Sequence, residues 1–438
     1  MNKYFPYFAL ILATLLLAAA CTSTNKLGGE QSVDSEANKK LSISVISDAL
    51  GYYENAIKGF KAIHPDVEIE LHNYRADYDK YRQQVRTQLM AGEADDLLSF
   101  VGFNNPSFFD SGLLTDFYPI MQNDPDFNEA DYFTNVFEGF AYQNKLLMFP
   151  IFYSYFIISV NDTFSSELTE KFMQYDEITY REVFNLYNSL EDKGNYYIST
   201  SVDALTVLER NISAFVDFAN NKCYFNTPEF IKFITDAKNG TDPQKIADGY
   251  LGYTHSYGAL NVLEQPELAL KYLFCDDGIS IDYYLLPDDA EAKFTHCIPL
   301  VHENGTLMIE PANAFLLNEA SKNKELAWEF IKYLLTTETK HSMYSFPIHR
   351  QIFESYVDGE VFRAIGYMRR TFGEFEPGEA GEQIKARLKT YNEMPMEFSI
   401  YLDFDAIKEI MQSFCDGIFT AEQVASELQN KVSLYLME

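Results

Sequence analysis

The sequence predicts an α/β protein built as two lobes. Three observations carry that expectation. Strand and helix periodicities alternate from Leu41 onward, which is the pattern of a mainly parallel sheet. The chain has 438 residues, more than one hydrophobic core usually serves. A long apolar, β-prone run, 145–161, carries Pro150 at its middle, as a strand changing partners between lobes would.

The first 21 residues, MNKYFPYFALILATLLLAAAC, are read as a leader. Lys3 gives a positive head. Phe8–Leu17 is an apolar run broken only by Thr14, and Ala18, Ala19 and Ala20 are small. The run is shorter than the ~20 residues of a membrane-spanning helix. A signal peptide over 1–20 follows. Residues 22–40 are polar, hold Gly28 and Gly29 and lack aromatic side chains, so they read as a flexible tether.

Leu41–Ile46 alternates apolar and polar residues and predicts a strand. Ser47, Asp48 and Gly51 make a turn. Tyr53, Ile57, Phe60 and Ile63 share one face of a helix stopped by His64-Pro65-Asp66. Val67–Leu71 is a second strand, Asp77–Ala91 a helix ending at Gly92, and Asp96–Val101 a third strand. Asn313–Leu317 is a later strand. The helix after it carries Leu326, Trp328, Phe330, Ile331, Leu334 and Leu335 on its apolar face. Ser345–Arg350 breaks it. Two helices close the chain, Ile407–Phe414 and Thr420–Leu436, the second opened by a capping box, Thr420-Ala-Glu-Gln423.

Charge narrows the partners. With 34 Lys+Arg against 65 Asp+Glu the formal charge is −31, which repels nucleic acid and anionic headgroups and tolerates a neutral or cationic solute. The chain holds 31 Tyr, 36 Phe and one Trp, so aromatic platforms for a sugar face are available. Beyond Cys21 the cysteines are Cys223, Cys275, Cys297 and Cys415. They allow three pairings or four free thiols, and no C-x-x-C points to zinc or redox chemistry.

Motifs of catalysis are missing: no G-x-S-x-G, no P-loop, no G-x-G-x-x-G and no H-E-x-x-H. His296, His302 and Glu303 come nearest to a metal set and read as ordinary histidines. No catalytic residue, metal or cofactor is expected.

Seven segments in order resemble the extracellular solute-binding proteins of ABC-type importers, in the carbohydrate group (family 1) that includes maltodextrin-binding proteins. They are FKAIHPDVEIE (60–70), QLMAGEADDLLSF (88–100), SGLLTDF (111–117), LLMFPIFYSYFIISVN (146–161), LNEASKNKELAWEFIKYLL (317–335), SFPIHR (345–350) and GIFTAEQVASELQNKVSLYL (417–436). The leader resembles a bacterial lipobox, with Ala18 where a leucine is usual. The resemblance implies lipidation of Cys21 and anchoring through that lipid at the outer face of a membrane. It implies a type II periplasmic-binding-protein-like fold, two lobes closing on a solute, a permease that reads the closed form, and a monomer. Lobe boundaries are expected at 41–149 plus 312–346 and at 150–311 plus 347–438, with crossings near Phe149-Pro150, Pro311–Ala314 and Phe346-Pro347.

Ligands sit outside the carboxyl ends of strands in such sheets. That selects Asp48 and Tyr52 after the first strand and Phe100 and Asn104 after the third. Tyr153 and Tyr155 lie beside the first crossing and Asn313 at the returning one. GISIDYYLLP (278–287) resembles the family strand that offers an aromatic, here Tyr283 or Tyr284. Asp48, Asn104 and Asn313 suit sugar hydroxyls. Tyr52, Tyr155 and Tyr283 suit a pyranose face. Asp48 equally suits a helix cap, and Phe100 equally suits the core. The alternatives kept open are a cationic or peptide-like solute, and an exported carbohydrate-active enzyme or adhesion protein.

Overall fold

The computed structural model describes residues 39–46, 50–75, 77–103, 106–161, 166–191, 193, 197–199, 203–240, 272–278, 294–337, 345–372, 380–399 and 404–437. The chain opens with β1 (Lys39–Val45), α1 (Leu50–Ile63), β2 (Val67–Asn73), α2 (Tyr78–Ala91) and β3 (Leu97–Ser99). Short helices α3 (Pro106–Phe109), α4 (Phe117–Asn123) and α5 (Thr134–Phe140) lead to β4 (Met148–Asn161). Next come α6 (Ser166–Phe172), α7 (Tyr180–Asn188), β5 (Tyr197–Ser199), α8 (Ala204–Arg210), β6 (Val216–Asp217), β7 (Lys222–Cys223) and α9 (Pro228–Gly240). Then follow β8 (Tyr272–Gly278), β9 (Phe294–Pro299), β10 (Leu307–Leu317), α10 (Lys324–Thr336) and β11 (Phe346–Pro347). The last elements are α11 (Arg350–Phe372), α12 (Ala380–Tyr391), β12 (Met396–Phe398), α13 (Phe404–Cys415) and α14 (Ala421–Tyr435). Among the described residues no helix is long and apolar enough to cross a membrane.

The early βαβαβ pattern folds as its periodicity predicts. Strand β1 pairs in parallel with β2, Lys39 facing Val67 through Val45 facing Asn73, and with β3, Ile43 facing Leu97. Helix α2 begins where the Asp77 side chain accepts the Lys80 N–H at 3.2 Å. It ends at Gly92, whose φ of 71° lets its N–H reach back to the Gln88 and Leu89 carbonyls. At Gly59 an added Cβ would meet the Tyr333 hydroxyl, so the Tyr333 side chain as placed on α10 rests over the bare glycine of α1. The capping box opening α14 is present in full, Thr420 bonding the Gln423 N–H and Gln423 bonding the Thr420 N–H.

Strand β4 organises everything else. On one half it pairs antiparallel with β10, Phe149 facing Phe315 through Ser154 facing Glu310, and with β11 at Phe152 and Tyr153. On the other half it pairs antiparallel with β8, Phe156 facing Gly278 through Val160 facing Phe274, and with β9 at Ile157 facing Pro299. Every residue from Met148 to Val160 is buried. Strand β5 continues the second half in parallel with β8.

Two hydrophobic cores form around this strand. The first gathers residues from Leu41 to Ile157, then Leu307, Ile309, the end of β10, α10 and the stretch from Phe346 to Phe398. At its centre Phe149 is fully buried, with its ring 5.2, 5.4 and 5.3 Å from those of Phe117, Phe137 and Trp328. Trp328 Nε1–H donates to Asp124 at 2.7 Å, and Lys332 pairs with the same carboxylate at 2.7 Å. The second core takes Phe156, Ile158 and Val160 from β4, residues between Leu168 and Ala237, then Leu300 and Met308, and closes with α13 and α14, while Ile157 and Cys297 face the first. Rings of Phe215, Phe225, Phe230, Phe233 and Phe184 line up edge to face through it.

The cores change over later than the sequence reading expects. Strand β4 changes partners between Ser154 and Phe156, not at Pro150. Pro150 faces Ala314 of β10, and β11 reaches β4 only at Phe152 and Tyr153. A missing N–H therefore disrupts no ladder on that second flank. On the return the cores interleave, with Cys297, Leu307 and Ile309 in the first and Leu300 and Met308 in the second, ahead of the expected Pro311–Ala314. Val357, Val361, Ile384, Leu388 and Phe398 belong to the first core, so the last change falls between Phe398 and Ile407, not at Phe346-Pro347.

A buried carboxylate ties the first sheet together. Asp96 accepts the Ser42 N–H at 2.8 Å and the Ser321 hydroxyl at 2.6 Å, and its carbonyl takes the Asn318 N–H at 3.0 Å. One side chain thus holds β1, β3 and the approach to α10. Cys223, Cys297 and Cys415 are free thiols, and burial pushes Cys415 up to about 11. The side chain of Cys275 lies outside the described residues.

Phe149→Ala removes a ring from the centre of the first core and should cost about 3–5 kcal/mol in urea unfolding, while Phe362→Ala on an exposed face should stay within ~0.5 kcal/mol.

Candidate ligand-binding site

Strand β10 crosses the first sheet with one flank incompletely covered. On that flank β12 pairs with Leu307–Ile309 and β3 with Phe315–Leu317, and the Phe100 N–H reaches the Ala314 carbonyl at 2.7 Å. Between them, among the described residues, Glu310–Asn313 has no strand beside it on that flank. The ladder to β4 also shifts register at Pro311, Asn313 and Ala314, which is a bulge. Burial follows the gap: Ala312 is exposed, Glu310, Pro311 and Asn313 are half-buried, and the residues on either side are buried.

Aromatic rings wall the gap on both sides. Phe100 follows β3 and Phe398 ends β12, and their rings meet edge to face at 6.0 Å. Phe100 is half-buried. Tyr53 donates from its hydroxyl to Asn313 Oδ1 at 3.3 Å, which orients the amide. Burial drives the Tyr53 hydroxyl far above its ordinary value, so it remains a neutral donor. Tyr52 sits beside it, half-buried, its ring edge-on to Tyr53 at 4.9 Å.

The second core contributes from across the crossing. Ser399, next to Phe398, donates its hydroxyl to the Arg210 carbonyl at 3.2 Å. The Arg210 guanidinium lies 3.7 Å over the Phe156 ring and donates to the Tyr180 hydroxyl at 2.8 Å. Burial and then the nearby Asp203 charge hold the Glu209 carboxyl well above the carboxylate range. Glu310 adds to this and Arg210 opposes it. The stretch therefore combines a half-buried aromatic residue, an oriented amide and the Glu310 carboxylate. Such a set stacks on C–H surface and pairs with hydroxyl groups.

Of the residues selected from sequence, the structure brings Phe100, Asn313 and Tyr52 to this region. Tyr153 and Tyr155 are fully buried and do not line it. Consecutive residues of β4 are all buried there, so both faces of the strand are packed and either direction of a side chain leads into the interior. Tyr153 donates to Asn392 Oδ1. Tyr155 stacks on Phe346 at 5.3 Å and meets Tyr391 edge to face at 6.1 Å. Asp48, Asn104, Tyr283 and Tyr284 lie outside the described residues. Sequence reading missed Glu310, Phe398, Ser399 and Arg210. The stretch MEFSIYLDF (396–404) carries no motif, and only its alternation before a helix marks Phe398 as a strand end.

Two cores sharing a crossing strand, with a polar and aromatic gap where they meet, define a hinged ligand receptor. The chain matches the family model for bacterial extracellular solute-binding proteins over residues 55–347, and it belongs to that family. Solved structures with the same two-lobed type II fold agree. An ABC substrate-binding protein from Listeria monocytogenes, solved with cycloalternan, has a TM-score of 0.57 at 14% identity over 91% of this chain and 99% of its own. The sugar-binding protein MalE of Xanthomonas citri has a TM-score of 0.56 at 13% identity, covering 91% and 98%. A periplasmic oligogalacturonide binding protein from Yersinia enterocolitica has a TM-score of 0.55 at 15% identity, covering 91% and 99%. No curated protein matches the chain.

Tyr155→Phe deletes a buried hydroxyl that has no hydrogen-bond partner. It should raise stability by about 1 kcal/mol in urea and leave solute affinity unchanged. A loss of affinity would return Tyr155 to the site.

Proposed function

We propose that this chain is a lipid-anchored receptor that captures a sugar or oligosaccharide and delivers it to an ABC-type permease without altering it. The observation that carries this reading is the stretch Glu310–Asn313, exposed or half-buried and without a strand on one flank among the described residues, in a strand that borders both cores. Solute touching both cores favours the closed arrangement by its differential contacts. The names of the similar structures support the solute class, since they bind cycloalternan, sugar and oligogalacturonide. The small residues before Cys21 support the anchor. We divide the lobes at the crossings of β4, of the 300–309 segment and of the stretch after β12.

The test is a thermal-shift screen against mono- and oligosaccharides, with polyamines and short cationic peptides alongside. A solute at 100 times its Kd stabilises by ~2.7 kcal/mol. One saccharide family should shift the transition, and Phe100→Ala should weaken it about tenfold, the value of a stacking contact. Saccharide recovered unaltered supports the receptor, and new reducing ends would replace it with an enzyme. A shift with cationic solutes alone would move the solute class.

Cys21→Ser should transfer the protein from the membrane fraction to the soluble fraction on cell breakage. Retention in the membrane would overturn the lipid anchor.

A further inference from the structure

The outer flank of β2 carries a second concave surface, remote from the hinge gap. Strand β2 ends the sheet, and among the described residues it pairs with β1 alone. Beside it runs a groove of about 720 Å³ between β2 and the outward face of α1, lined by Glu54, Ile57, Lys58, Lys61, Ile69, Leu71, Asn73 and Arg75. Three features of this groove belong together. Its floor is apolar, with Ile57, Ile69 and Leu71 all left half-buried by the fold. Its rim carries three cations against one carboxylate: Lys58, Lys61 and Arg75 are exposed and have no ion-pair partner among the described residues, and Glu54 is the one acidic lining residue, in a chain whose net charge is −31. Its long side is a strand edge whose backbone groups on that flank bond no other strand.

The opposite face of the same strand is different. Glu68, Glu70 and His72 alternate with the groove residues, and Glu70 and His72 are engaged with Lys40 and Asp95. An occupant must therefore present carboxylates on the groove side only. A helix beside an open strand edge is the geometry in which an extended peptide adds to a sheet.

We infer that this groove docks an extended acidic segment of a partner polypeptide as an added strand on β2, its apolar side chains on Ile57, Ile69 and Leu71 and its carboxylates toward Lys58, Lys61 and Arg75. The inference is independent of the solute reading, since none of these residues touches the hinge gap. A flat anionic membrane would meet the rim and leave both the apolar floor and the strand edge unused.

The probe is a fluorescein-labelled peptide, ETIKLTE, whose alternate residues place two carboxylates and two apolar side chains on one face. Anisotropy titration against the full-length protein should show binding, and the charge-swapped peptide KTIELTK should bind at least tenfold more weakly. The double variant Lys58→Glu/Lys61→Glu, on exposed positions, should reverse that preference while solute affinity stays constant. N-methylation of alternate backbone nitrogens should abolish binding if the peptide adds as a strand. Equal binding of both peptides, binding of neither, or persistence after N-methylation on both registers would overturn the inference. Sedimentation with phosphatidylglycerol vesicles, lost in the double variant and without peptide binding, would reassign the patch to a lipid surface.

Discussion

The rest of the molecule depends on the continuity of β4. Among the described residues it is the one strand paired on both flanks in both halves, and each half supplies different partners. A strand buried from Met148 to Val160 must satisfy its backbone entirely with neighbouring strands. Those neighbours come from four separate segments of the chain, so β4 fixes where each must lie. Its partners change between Ser154 and Phe156, which is where it passes from one set of neighbours to the other.

That change of partners also generates the gap. Strand β10 follows β4 through the first half, while β3 and β12 approach its other flank from opposite ends and neither spans Glu310–Asn313. The bulge at Pro311–Ala314 twists the uncovered stretch and leaves Ala312 in solvent. A central strand is normally covered, so an exposed residue in the middle of one marks a place prepared for something else. Phe100 and Phe398 owe their mutual contact to the same arrangement, since each sits at the end of a strand that stops at the gap.

Elements with strong local signals were legible from the residues. The alternation of β1 and β2, the Gly92 terminus of α2 and the Thr420 capping box are all decided within a few residues of sequence. The crossings were not. Pro150 marks a break in a local reading, but its real context is a neighbouring strand whose flank is vacant there, and that is a long-range fact. The full burial of Tyr153 and Tyr155 was hidden for a related reason. Period-2 alternation assumes that one face is open, whereas β4 is packed on every side. Asn313 was legible because it sits where an apolar strand turns polar. Phe398 lies about 300 residues from Phe100, and nothing local announces that the two rings meet.

The sheet order bears on how the chain reaches its native state. Leu97 of β3 faces Leu317 of β10, and Leu307 of β10 faces Met396 of β12. The first core therefore cannot be completed from its own N-terminal segment, which lacks two of its strands and the α10 helix until most of the chain has been made. Closing such long loops carries an entropic cost before any contact repays it, which slows folding. The delay has a further consequence: until the last strands arrive, the apolar faces of β1, β2 and β3 stay without their full cover, so the half-made chain presents surface that the finished fold hides.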